Sequence, residues 1–233
     1  MTRINTEAST NLWTADETVF ADAGITGVTE DNLDEVEQEV ATEYREKGGP
    51  LTSQEIQNGV NKVVAIMAVD AATGHSNTIT VAQLNEATGL TTAISQNEAL
   101  YRSAIEDAGG GMFTFNTADD IAAMIDVVNA VALLTDGSVT SDNPADLNPQ
   151  LHAPADTSDI TYTFAGYAPS ANVNIAIGTP ENTATITNRN PGIGGTSTLS
   201  LMITSVTGYF QVVDYMITIP PTGAITIAKN VAN

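Results

Sequence analysis

Two histidines, His75 and His152, are the only imidazoles in the chain, and both fall in stretches that read as loops. Neither has a neighbouring carboxylate or hydroxyl at a catalytic spacing, so a histidine-based triad has no support and no catalytic residue is assigned. Gly192-Ile193-Gly194-Gly195 has the glycine content of a phosphate-binding loop. It lies between two predicted strands, opens no helix and carries no lysine, so a turn is the better reading. Asp119, Asp120 and Asp126 could act as paired acids, but the first two sit where acids favour a helix start. The run from Asp136-Gly137 to Asp142-Asn143 offers oxygen ligands, yet departs from the EF-hand order with its sixth-position glycine and terminal glutamate, so no metal site is assigned. Glu35, Glu37, Glu39 and Glu43 read as a solvated helix face and, secondarily, as a patch for a basic partner. There is no cysteine, which removes disulfides, thiolate ligands and cysteine nucleophiles together. No cofactor is expected, and the chain is expected not to be an enzyme.

The composition agrees. Aromatics make up 5% of the 233 residues and hydrophobic residues 42%, so the core must be built mainly of small aliphatic side chains. Seven basic residues stand against 28 acidic ones, a formal charge of −21 that repels nucleic acid and anionic membranes. Residues 1–150 hold 24 of the acids and five of the bases, leaving −2 for the remainder. The N-terminus shows no apolar signal segment and no run reaches the length of a membrane span, so export by a signal peptide is not expected.

The elements follow from periodicity. Residues 1–15 are polar apart from Ile4, Leu12 and Trp13 and read as an N-terminal arm. Leu12 and the single tryptophan, Trp13, are the candidate assembly contact, since tryptophan is enriched at interface hot spots. Packing of Trp13 onto the chain's own helices is the competing reading. Residues 16–136 read as an acidic helical domain: Leu33, Val36, Val40 and Tyr44 form one stripe, Ile56, Val60, Val63 and Met67 a second, and Ile121, Ile125, Val128 and Ala132 a last one. Thr52 with Glu55 and Thr117 with Asp120 mark helix starts, and Gly109-Gly110-Gly111 a helix end. Thr26-Gly27-Val28 aligns with Thr88-Gly89-Leu90 and Tyr44-Arg45 with Tyr101-Arg102, which gives two degenerate helical repeats, the first with an insertion of about five residues near Glu30 to Leu33.

Residues 137–158, with Pro144, Pro149 and Pro154, read as a linker. From 159 to 233 the period becomes two, in short runs such as Ile160-Tyr162-Phe164 and Val173-Ile175-Ile177, broken by turn residues. Six or seven such strands predict an all-β immunoglobulin-like sandwich, so the fold class is α+β in two domains.

The segment Thr80 to Gly89, followed by Asn97-Glu98-Ala99-Leu100-Tyr101 and by Ala118 to Ala130, resembles helical repeats of large bacterial surface adhesins. That resemblance implies a display or spacer module of the cell surface. The architecture as a whole resembles bacteriophage virion decoration and fibre proteins. It implies a structural protein on the exterior of the particle, assembled in the host cytoplasm, with capsid or tail proteins and copies of itself as partners and neither nucleic acid nor membrane among them.

Overall fold

The computed structural model describes residues 1–109, 113–145, 148–168, 170–190 and 192–230. The chain divides into two compact units, Met1–Ala122 and Ala123–Asn233. The first is helical and the second is dominated by two antiparallel sheets.

The first unit contains α1 (Thr2–Thr10), α2 (Glu17–Asp22), α3 (Leu33–Lys47), α4 (Ser53–Ala72), α5 (Val81–Thr88), α6 (Glu98–Asp107) and the start of α7 (Ala118–Leu133). Local chemistry sets these boundaries. The Glu55 N–H donates to Thr52 Oγ1 at 3.3 Å while the Thr52 N–H donates to the Glu55 carboxylate at 2.6 Å, so two orphan amides at the start of α4 are satisfied reciprocally. Thr80 with Gln83 and Thr117 with Asp120 repeat the exchange before α5 and α7. Gly48 and Gly89 close α3 and α5 in the left-handed region. The stripe residues Val36, Val40, Ile56, Val60 and Val63 are all buried in one cluster with Ile4, Phe20 and Ile25.

Ile4 and Ala8 in that cluster correct the expectation of an arm over 1–15. Residues 2–10 are a docked helix, invisible to periodicity because only those two apolar side chains anchor it. Polar clamping supplies the rest: Asn5 Nδ2 donates to the Leu51 carbonyl at 2.9 Å, and the Leu51 N–H returns the bond to Asn5 Oδ1 at 2.7 Å.

The repeat register is also corrected. A glycine of positive φ (Gly27, Gly89) precedes a 3-10 turn (Glu30–Asn32, Ser95–Asn97) ending on a buried asparagine, from which the next helix departs. Asn32 donates to the Gly27 carbonyl at 2.9 Å and accepts from the Thr29 N–H at 2.8 Å, holding its turn closed. By this frame Tyr44 lies in the last turn of α3 and Tyr101 in the first turn of α6, so the Tyr-Arg match is not an equivalence. The first copy has no insertion near Glu30; its helix is the longer one, 15 residues against ten. Between α4 and α5 the Gly74 N–H donates to the Ile105 carbonyl at 3.0 Å. Gly74, at φ 76°, touches Gly109 so closely that a Cβ there would lie 2.8 Å from the Gly109 Cα. The helix end expected at Gly109-Gly110-Gly111 falls partly on 110 and 111, outside the described residues.

The second unit holds the rest of α7, a 3-10 turn at Asp136–Ser138, and eight strands among the described residues: β1 (Thr140–Ser141), β2 (Gln150–His152), β3 (Ile160–Ala168), β4 (Val173–Ile177), β5 (Thr183–Asn188), β6 (Gly195–Ser205), β7 (Phe210–Ile219) and β8 (Thr226–Lys229). One sheet runs β1-β2-β5-β4 and the other β3-β6-β7-β8, with every pairing antiparallel. Burial alternates as predicted: Ile160, Tyr162 and Phe164, Leu199, Leu201 and Ile203, and Val213, Tyr215 and Ile217 all face inward.

The linker expected at 137–158 contains β1 and β2, with residues 146 and 147 outside the described residues. Leu151 is fully buried in β2, and the prolines leave their carbonyls as acceptors: Pro149 O takes the Ile186 N–H and Pro144 O the Ile225 N–H. Strands of two and three residues are too short to show a period, and the pairing of β2 with β5 that holds them is non-local.

Lys229 closes this unit. Its Nζ donates to the Val131 and Leu134 carbonyls at 3.1 Å each, capping α7 with a cation where the helix dipole is negative, and its N–H donates to Asp136 Oδ1 at 2.7 Å. Lys229→Ala is expected to cost about 1–2 kcal/mol. Faster hydrogen exchange in β8 and the last turn of α7, with α1 to α4 unchanged, is the measurement.

Candidate functional site

The loop after α1 carries Leu12 and Trp13, and its geometry is set by Glu7. The Glu7 carboxylate accepts from the Arg3 Nε at 2.8 Å, the Thr14 N–H at 2.9 Å, the Ala15 N–H at 2.8 Å and the Thr14 hydroxyl at 3.0 Å. Burial acts to raise this carboxyl, but the bonds from Thr14, Arg3 and Ala15 outweigh it and hold the pKa at about 2. The folded-back loop lays the Trp13 ring over Phe20, centroids 6.3 Å apart and planes 22° from parallel. Trp13 is half-buried and its Nε1 is enclosed without a hydrogen-bond partner. Leu12 is 73% exposed. The two residues expected to act together are thus divided: Trp13 is part of the fold and Leu12 stands free of it.

The glutamates of α3 meet α4 along a groove of about 550 Å³. Its lining joins apolar side chains of α4 (Val63, Ile66 and Met67) to carboxylates of α3 and α4 (Glu35, Glu39 and Asp70), with Lys62 and Thr117 beside them. Lys62 pairs with Glu39 across the helices at 2.7 Å. Further along the same contact, Glu43 lies over Gly59, where an added Cβ would come within 3.3 Å of the carboxylate. Burial, then the charges of Glu39, Glu55 and Glu46, push the Glu43 pKa up to about 7 against the pull of Lys62.

Periodicity placed these acids on a helix but could not show that Gly59 lets one of them into the helix contact. A mid-helix glycine facing a glutamate stripe was the available signal. His75 sits in a turn with Nδ1 2.9 Å from the Thr73 carbonyl oxygen, and His152 lies in β2. Among the described residues no cluster of three or more metal-ligating side chains occurs, and no helix is long and apolar enough to cross a membrane.

No family model, curated protein or solved structure matches the chain. The assignment of a role therefore rests on geometry alone.

Two titrations test this geometry. Glu7 has a folded pKa below its ordinary 4.5, so its stabilisation is complete above pH 4.5 and lost as pH falls toward 2. The fluorescence of Trp13, the single tryptophan, should report undocking across that window, and Glu7→Gln should abolish the transition. Glu43 has the opposite sign: with its pKa raised to about 7, the charged form opposes folding, so stability declines as pH rises from 4.5 through 7. Glu43→Gln should stabilise the first unit by about 1 kcal/mol at pH 8, after allowance for solvent screening, and leave it unchanged at pH 4, as read by thermal unfolding.

Proposed function

We propose that this chain is a non-catalytic structural protein of a bacteriophage particle exterior, a head-decoration or fibre-type component that attaches by its helical unit and displays an immunoglobulin-like sandwich. The observation that carries this reading is the strand order. The sheet β1-β2-β5-β4 has the A-B-E-D succession of an immunoglobulin constant-type domain, and β3-β6-β7 has its C-F-G succession, with β8 added outside β7. Such a sandwich presents loops and edges for contact without needing a pocket, which suits display.

Attachment is assigned to the helical unit on chemistry. A groove lined by apolar side chains and carboxylates accepts a segment that is basic and amphipathic, such as an exposed arm or helix of a shell protein. Leu12, exposed on the same unit, adds an apolar contact. A second reading, a spacer and display module of a bacterial cell-surface adhesin, is favoured by the recurring turn, 3-10 segment and helix of the first unit.

Purified particles of the encoding phage provide the test. The chain should be present in many copies, and Glu35→Lys with Asp70→Lys, which leaves the Lys62–Glu39 pair intact, should lower occupancy about tenfold, roughly 1.4 kcal/mol per contact. Raised salt should weaken the native attachment in the same direction. Absence of the chain from particles would overturn the virion reading; full occupancy by the charge-reversed variant would remove the groove from it.

A further inference from the structure

Four strands stand at the rims of the two sheets: β1 and β4 in one, β3 and β8 in the other. A rim strand shows solvent a row of unpaired N–H and C=O groups, and folded proteins shorten, cover or charge such rows. Three of the four are treated in this way. β1 has only two residues. Along β3, Asp156 Oδ1 accepts the Tyr162 N–H at 2.8 Å, the Glu181 carbonyl accepts the Phe164 N–H at 2.7 Å, and Thr157 exchanges bonds with Ile160. Along β8, the Pro144 carbonyl accepts the Ile225 N–H at 2.9 Å and Asp136 the Lys229 N–H at 2.7 Å.

β4 differs. The bonds Arg189 N–H to Asn172 O and Gly178 N–H to Thr183 O flank its pairing with β5 and set the phase. In that phase Asn174 and Ala176 exchange bonds with Thr187 and Thr185, while Val173, Ile175 and Ile177 turn their backbone groups outward. Among the described residues, the Val173 N–H alone of these outward groups is taken, by Ser170 Oγ at 3.2 Å. The strand reads Val-Asn-Ile-Ala-Ile, with no charge, proline or bulge of its own, and the one cation on it is Arg189, whose Nη2 donates to Asn174 Oδ1 at 2.8 Å.

We propose that β4 is a strand-addition site, and that its occupant is β4 of a second copy of this chain, paired antiparallel about a twofold axis at Ile175. The strand is self-complementary in that register. Ile175 exchanges both backbone bonds with its own equivalent, the Val173 carbonyl accepts the Ile177 N–H of the second copy while the Val173 N–H stays with Ser170 Oγ, and Asn174 on the outer face stands opposite Ala176 of the second copy. The half-buried Ile177 is covered by the Val173 of the second copy. Charge favours the same contact: residues 123–233 carry a net −6, whereas residues 1–122 carry −15, so copies meet with less repulsion through the second unit. This inference does not depend on the virion or adhesin reading, because its test is made on the isolated full chain.

The chain has no cysteine, so introduced thiols report without background. In the proposed register residue 174 of one copy lies across from residue 176 of the other, at a spacing that accepts a disulfide, while neither position faces its own equivalent. Chains bearing Asn174→Cys, mixed with chains bearing Ala176→Cys and oxidised gently, should form crosslinked dimers at least tenfold more than either variant alone. Sedimentation of the native chain should show a concentration-dependent dimer. Asn174→Asp with Ala176→Asp should weaken it tenfold or more, and Asn174→Asp with Ala176→Lys should restore it. A native chain that stays monomeric, crosslinking no greater in the mixture than in either variant alone, or a dimer indifferent to the paired charges would each overturn the proposal.

Discussion

Short elements leave many backbone groups without a partner, and in this chain several boundaries are drawn by a polar side chain that supplies one. An α-helix leaves four N–H and four C=O groups unpaired at its ends, a large share for helices of six to ten residues such as α1, α2, α5 and α6. Asp16, Thr52, Thr80 and Thr117 meet that demand at the starts of α2, α4, α5 and α7, while Asn32 and Glu7 pair loop amides at Thr29, Thr14 and Ala15. In the second unit Asp136 and Asp156 do the same for strand rims, and Lys229 for a helix end. The aliphatic core is then free to be modest, since position is fixed by hydrogen bonds at the ends of elements as much as by packing between them.

The acids show how one residue type serves opposite ends. Glu7 is held far below its ordinary pKa because four donors converge on it, whereas Glu43 is held above it because burial and like charges surround it. The first organises a loop at the cost of acid sensitivity. The second places unfavourable charge in the contact between α3 and α4 near neutral pH, beside a groove whose lining is already acidic. A basic partner would relieve both, so the electrostatic strain of the free unit and the attraction for such a partner have one source.

Much of this arrangement was legible in the sequence. The stripes of α3 and α4, the threonine caps and the alternation from Ile160 onward need only local spacing, and they appear where spacing puts them; in α7 the expected Ile121, Ile125 and Val128 are buried, but Ala132 is exposed and Ala123, Met124 and Val127 are buried as well. What was illegible depends on contacts distant in the chain. α1 is anchored by two apolar residues and by an exchange between Asn5 and Leu51. β1 and β2 exist because β5 pairs with β2. The repeat was framed on a Tyr-Arg dipeptide, but the equivalent positions are the buried asparagines that end each 3-10 turn, and a single buried asparagine outside any apolar period has no mark in the sequence. Trp13 shows a smaller limit: packing onto the chain's own helices was one of two readings of its type, and the fold names the partner, Phe20.

The touching glycines 74 and 109 carry a consequence for descent. Two backbones share a space in which neither position has room for a side chain, so inherited variation at one cannot be offset by change at the other. The surrounding helices can drift through many aliphatic combinations while this pair stays fixed. Distant relatives should therefore be recognised by two glycines at this separation long after the helical stripes have lost any resemblance.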